Sequence, residues 1–223
     1  MASYQQAAGN DDARAVGLYQ ANLQLSQILY TPLALLEVGL RNQLNAALQQ
    51  HFGQFDWLLR QQTGFMRDQR FRFRNAAGQT VTNDFLLRSV QGAEKKLKSA
   101  VTHPRLVAEL MFGFWTELFD PTPFKILQGR PLTVFQYKPA TISRVDVFTR
   151  LTAIRKLRNR VYHYEPICMT AGRAELTNVK SVHRQLLEVV HWLSPDLAAV
   201  VAGTDQFDDV CQMICQKLPF VQP

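Results

Sequence analysis

The sequence predicts an all-α fold, a helical bundle interrupted by one small β-hairpin or irregular excursion near residues 70–82. Three observations carry this. Apolar residues recur at spacings of three and four over most of the 223 positions, as helices with one buried face require. Only one segment departs from that rhythm: Arg70, Phe71, Arg72, Phe73 and Arg74 alternate, Ala77-Gly78 can turn the chain, and Thr80, Val81 and Thr82 favour a strand. No internal repeat, low-complexity tract or long linker divides the chain. A single domain over 13–223 is therefore expected, after a polar and flexible start at Met1 to Asp12.

Taken in order, the first helical face runs from about Ala13 to His51 on Leu25, Ile28, Leu29, Leu33, Leu36, Leu40, Leu44 and Leu48. Thr31-Pro32 lies inside it, and predicts a kink or a split there, since proline suits a first turn and disrupts an interior one. Leu86, Val90, Ala93, Leu97 and Val101 mark the next helix. A third block begins at His103-Pro104 and carries Leu106, Val107, Leu110, Phe114, Leu118 and Phe119. Pro121, Pro123, Pro131 and Pro139 indicate an irregular stretch. Periodicity resumes on Val145, Phe148, Leu151, Ile154, Leu157 and Val161, with Pro166 close behind its end. Val179, Val182, Leu186, Val189 and Leu193 form another helix, Ser194-Pro195 caps a short one, and Phe207, Val210, Ile214 and Leu218 mark the last.

The balance of 47% apolar and 19% charged residues is that of an ordinary globular domain. No uninterrupted apolar run reaches the roughly 18 residues that cross a bilayer. The start also lacks a basic-then-apolar leader. No membrane partner and a cytoplasmic location are therefore expected. Three cysteines, an odd number, make no disulfide framework and fit a reducing compartment. Cys211 and Cys215 have helical spacing that would suit half of a metal site. No matching pair exists elsewhere, so small buried residues are the expected reading. A net charge of +7 favours anionic partners, nucleic acid before membrane surface. With no phosphate-cradling glycine loop, no zinc-protease motif and no serine or cysteine in a nucleophile context, neither cofactor nor metal is expected.

The chemistry concentrates at Arg158-Asn159-Arg160-Val161-Tyr162-His163, at the end of a helix. Asn159 and His163 lie one turn apart on one side, with Arg155 a turn before them, while Ile154, Leu157 and Val161 turn to the core. Arg158 lies about 140° from His163 in projection, close enough for its long stem to swing across. A guanidinium can hold a phosphate, and an imidazole of ordinary pKa about 6.5 can trade a proton near neutral pH. The alternative is a helix-end histidine that merely interacts with the last carbonyls.

The run RNRVYHYEP resembles the signature of the HEPN superfamily, an arginine with a polar neighbour and a histidine four to six intervening positions later. LLEVGLRNQL, holding Glu37, Arg41 and Asn42, LVAELMFGFWTELF (Leu106 to Phe119) and VHRQLLEVVHWL are similar to its Abi-like, abortive-infection branch. The resemblance spans about Gln20 to Ser194. It implies a homodimeric helical bundle with two motifs facing each other, and a metal-independent endoribonuclease of phage defence or of a toxin–antitoxin pair. Arg158 and His163 would be the catalytic pair. Asn159, Tyr162, Glu37, Arg41 and Asn42 would support the site, although Glu37 and Arg41 also have the spacing of a simple helix pair. A toxin would call for an antitoxin, protein or RNA, which the sequence does not name. Some HEPN toxins carry a modified tyrosine two residues after the histidine. Glu165 stands there, and the tyrosine is Tyr164, so that control is not expected. A non-catalytic RNA-binding member, or a dimeric regulatory module, is the alternative.

RNA contact is expected at Arg155 and Arg160 and, in the excursion, at Arg70, Arg72 and Arg74. There, arginines interleaved with Phe65, Phe71 and Phe73 would grip phosphates while bases stack on the rings. The competing and favoured reading is a half-buried strand with phenylalanines inward and arginines solvated. Lys95, Lys96 and Lys98 read as a solvated helix face. Met111, Phe112, Phe114 and Trp115 read as core or interface. His51, His103, His183 and His191 read as surface or satisfied residues, and Asp208-Asp209 as a favourable first helical turn.

Overall fold

The computed structural model describes residues 1–222. Their order is α1 (Ala2–Ala7), α2 (Asp12–Phe52), α3 (Trp57–Arg60), β1 (Arg72–Arg74), β2 (Thr80–Thr82), α4 (Phe85–Leu97), α5 (His103–Glu109), α6 (Phe112–Glu117), α7 (Pro121–Ile126), α8 (Arg144–Tyr162), β3 (Met169–Thr170), β4 (Arg173–Ala174), α9 (Thr177–Leu193), α10 (Pro195–Ala202) and α11 (Phe207–Lys217), with short 3-10 turns between some of them. The fold is mostly helical with two small antiparallel hairpins. Its chain gathers into two compact units. One holds Met1–Leu36, Tyr137–Pro139 and the chain from Thr149 onward; the other holds Glu37–Gln136 and Ala140–Phe148. A single domain was expected, and the two-fold grouping was not.

In the first unit α1 and α2 begin the chain, and the expected flexible start is instead helical. Tyr4 is buried and meets Tyr19 edge-on at 5.5 Å, so an aromatic anchor inside a polar segment orders it. Leu25 and Leu29 of α2, Leu151 and Ile154 of α8, and Leu186, Val189 and Val190 of α9 are all fully buried and form its core. Arg150 joins α8 to α9 through Glu188 at 3.1 Å and lies over the Trp192 ring. Ser194 caps α10 by accepting from the Leu197 N–H, with Pro195 in the first turn, as the sequence indicates. The β3–β4 hairpin was not foreseen. Its loop, Ala171-Gly172, takes positive φ at both positions, the geometry of a two-residue hairpin turn.

The α2 helix is continuous through Pro32, so of the expected kink or split the split does not occur. One of its 18-residue windows reaches a mean hydropathy of 1.2, enough in length and composition for a membrane span, which the sequence reading did not expect. Leu25, Leu29, Leu33, Leu36, Leu40, Leu44 and Leu48 are all buried, so the leucine row faces the core, while about a third of that window is buried overall.

In the second unit the expected 103–119 helix breaks at Leu110–Met111 into α5 and α6. In one straight helix, Leu106, Leu110, Phe112, Phe114 and Trp115 would spread over roughly 240° of its circumference. The break lets all five bury. Asp120-Pro121 starts α7 inside the stretch expected to be irregular, with the Asp120 carboxylate accepting from the Thr122 N–H. The excursion at 70–82 is a hairpin in the register Phe73 opposite Val81. Asn75 Oδ1 closes it by accepting from Ala77 and Gln79, and Gly78 takes the left-handed φ of 75° that the turn demands.

Candidate functional site

The site is built on α8, whose start is fixed by a Ser143–Asp146 capping box. The Asp146 carboxylate accepts from Ser143 N–H at 2.8 Å, and Ser143 Oγ accepts from Asp146 N–H at 3.3 Å. The buried stripe then runs Val147, Leu151, Ile154, Leu157, Val161. The sequence reading began it at Val145, which is exposed. That shift matters. With Val147 setting the stripe, Arg158 projects within the apolar sector, while Asn159 and His163 turn outward (about 80–120° away by helical geometry). Accordingly Asn159 and His163 are exposed, and Arg155, Arg158 and Tyr162 are half-buried.

Arg158 lies against Tyr162. Its guanidinium carbon lies 4.0 Å from the centre of the Tyr162 ring. Tyr162 in turn stacks on Tyr30 of α2, with ring centres 5.1 Å apart and planes 17° from parallel. A cation and two rings thus form one stack, in which the guanidinium faces the electron-rich ring face.

The helix end is a Schellman motif. Glu165 N–H donates to Arg160 C=O at 2.8 Å and Tyr164 N–H to Val161 C=O at 3.3 Å, with Tyr164 at φ 57°. His163 is therefore the C-cap. Arg160, expected to contact RNA, is half-buried. It donates to the Pro166 carbonyl and approaches Glu165 at 3.9 Å, holding the chain reversal together. The residue that sequence reasoning missed is Asn22. Buried on α2, its amide donates to Glu165 C=O and its oxygen accepts from Ile167 N–H at 2.6 Å. An asparagine inside an apolar helical face was the available signal, because a buried amide must find partners. Cys168, beyond it, is buried, and burial pushes its thiol up to about 12.

Glu37, Arg41 and Asn42 belong to the other unit. Asn42 is exposed and Glu37 half-buried. Arg41 donates to the Ala108 carbonyl at 3.3 Å, at the end of α5, which is a capping contact. In that same unit Arg70 forms a two-pronged pair with Asp68 at 2.8 and 2.9 Å and holds its carboxyl down to about 2, so this guanidinium already has an anion. Arg72 and Arg74 are exposed and share a hairpin face with Thr80 and Thr82. Phe65 and Phe71 are buried as the favoured reading has them, yet Phe73 is 54% exposed, because a two-stranded hairpin offers its second face no core.

The other histidines fall out as follows. His103 is buried, and its Nε2 donates to Asn45 Oδ1 at 2.9 Å, an oxygen that also accepts from Trp57 Nε1. Burial pushes its pKa below the ordinary value, with Asp56 opposing. His183 Nε2 lies 2.9 Å from Asp205 Oδ2 and its ring stacks on Phe207 at 4.0 Å; burial lowers its pKa too, against Asp205 and Asp208. Cys211 is buried and Cys215 half-buried. No group of three or more His, Cys, Asp or Glu placed to hold a metal ion occurs among the described residues.

Compared with family models, with curated proteins and with solved structures, the chain matches none.

Proposed function

We propose that this protein is a metal-independent endoribonuclease of the Abi-like branch of the HEPN superfamily, acting in the cytoplasm in phage defence or as a toxin. The observation that carries the reading is the outward display of His163 and Asn159 at the end of α8, beside the half-buried Arg155 and Arg158. His103 and His183, by contrast, are buried and have polar partners.

In the proposed reaction the RNA 2′-oxygen attacks the adjacent phosphorus. The P–O2′ bond forms and the P–O5′ bond breaks, giving a 2′,3′-cyclic phosphate and a 5′-hydroxyl. Arg158 leaves the Tyr162 ring to take the phosphate oxygens and offsets the charge that grows on them. One imidazole accepts the 2′-hydroxyl proton and a second donates one to the departing 5′-oxygen. Each chain supplies only one histidine in the motif, so the reaction calls for a homodimer in which the partner's His163 faces the first.

Arg158 resting on Tyr162 favours a second reading, RNA binding without cleavage. One assay separates the two: incubation of purified protein with single-stranded RNA and DNA in EDTA. Cutting of RNA alone, lost in His163→Ala and reduced in Arg158→Lys, supports the nuclease, because lysine lacks the planar fork. Binding without cutting supports the second reading. Full activity of His163→Ala would reject the catalytic assignment.

A further inference from the structure

Beside the helix end, Leu23, Ser26, Gln27, Tyr30, Val161 and Tyr164 line an open, mainly apolar groove of about 330 Å³. We propose that this groove is a stacking subsite for an unpaired nucleobase of the RNA strand whose phosphate lies at Arg158 and His163. This deepens the endoribonuclease reading and rests on it for the position of the phosphate.

Three features favour a base as the occupant. Tyr164 is 80% exposed, although it occupies the left-handed C′ position where glycine is ordinarily favoured. Neither packing nor backbone ease explains a tyrosine there. Its backbone is nevertheless firmly held, because Asn22 and Arg160 fix residues 165–167 on the far side of it. The ring is thus displayed from a rigid mount.

Tyr30, 53% exposed on the groove, is the outer ring of the Arg158–Tyr162–Tyr30 stack. A flat base added to the groove meets tyrosine rings suited to stacking. The arginine at the head of the stack and the exposed His163 next to Tyr164 place the phosphate-binding groups within the same stretch of chain. Gln27, exposed on the lining, carries both a donor and an acceptor for a base edge. An aliphatic ligand would use neither the stack nor the amide.

The test uses full-length wild-type protein and a short single-stranded RNA carrying 2-aminopurine, with 2′-O-methyl groups blocking cleavage. Binding should quench the 2-aminopurine fluorescence. Tyr164→Gly should raise the melting temperature, by relieving the left-handed backbone, while weakening binding about tenfold and abolishing the quench. Tyr30→Leu should weaken binding in the same direction. A merely structural Tyr164 would give the higher melting temperature with unchanged binding, which overturns the proposal. So would a shift from dimer to monomer in sedimentation of Tyr164→Gly, which would assign the groove to a second copy of the chain. Failure of the wild-type protein to bind RNA at all removes both this subsite and the nuclease reading. Tyr164-dependent quenching without cleavage of unblocked RNA leaves the subsite standing and removes only the nuclease.

Discussion

Tyr164 and Arg158 show how single residues depart from what their spacing suggests. A tyrosine at φ 57° is costly because its Cβ crowds the backbone, by about 1–2 kcal/mol relative to a right-handed conformation. Replacing Tyr164 by glycine should therefore stabilise the fold by about 1 kcal/mol, read as a higher urea midpoint with an unchanged slope. A fall in the midpoint would mean that the exposed ring makes stabilising contacts. Arg158 was singled out from the RNRVYH run, but its contact with Tyr162 was not legible, since the register of α8 depends on Val147 rather than Val145 being buried. Arg160 carries the same lesson. Nothing in the sequence distinguishes a guanidinium that meets solvent from one that closes a chain reversal onto Pro166. For His163, exposed and at the helix end, alanine should leave the melting temperature nearly unchanged, because surface changes typically move stability by less than about 0.5 kcal/mol. Cleavage should fall by at least about 10²-fold.

Helices with one strong apolar period were readable element by element. The leucine row of α2, the stripe of α9 and the Ser194-Pro195 cap all lie where spacing and capping chemistry put them. What escaped were features set by packing in three dimensions: the break before α6, the short α7, the β3–β4 hairpin and the anchoring of α1 by Tyr4. The hairpin at 72–82 was anticipated, yet the outward Phe73 was not, because alternation alone does not say which face finds a core. Its exposed Arg72 and Arg74 lead to a prediction at this scale. Arg72→Glu with Arg74→Glu should weaken RNA binding and lower its salt slope by about one to two, measured by titration at several salt concentrations. An unchanged slope would remove the hairpin from the interface. Two elements also carry buried histidines. His103 and His183 have folded pKa values below the ordinary one, so the unfolded chain binds more protons than the folded chain as pH falls through about 6.5. Stability should be full above that pH and decline below it toward the folded values. Urea unfolding at pH 7.5 and 5.5 should show the loss, and His103→Gln should reduce it; equal stability at both pH values would contradict the burial account.

For the whole molecule, the chemistry asks more than one chain supplies. In the proposed reaction each chain would supply one imidazole, His163, and a concerted proton exchange would use two. Sedimentation should therefore show a dimer under conditions in which the protein is active; an active monomer would leave His163 without its acid partner. A net charge of +7 favours anionic partners in general and selects no reaction. The most direct measurement is end-group analysis of RNA incubated with the protein in excess EDTA. The account predicts fragments with 2′,3′-cyclic phosphate and 5′-hydroxyl ends, absent with His163→Ala. Uncut RNA, or fragments with 5′-phosphate ends, would contradict it.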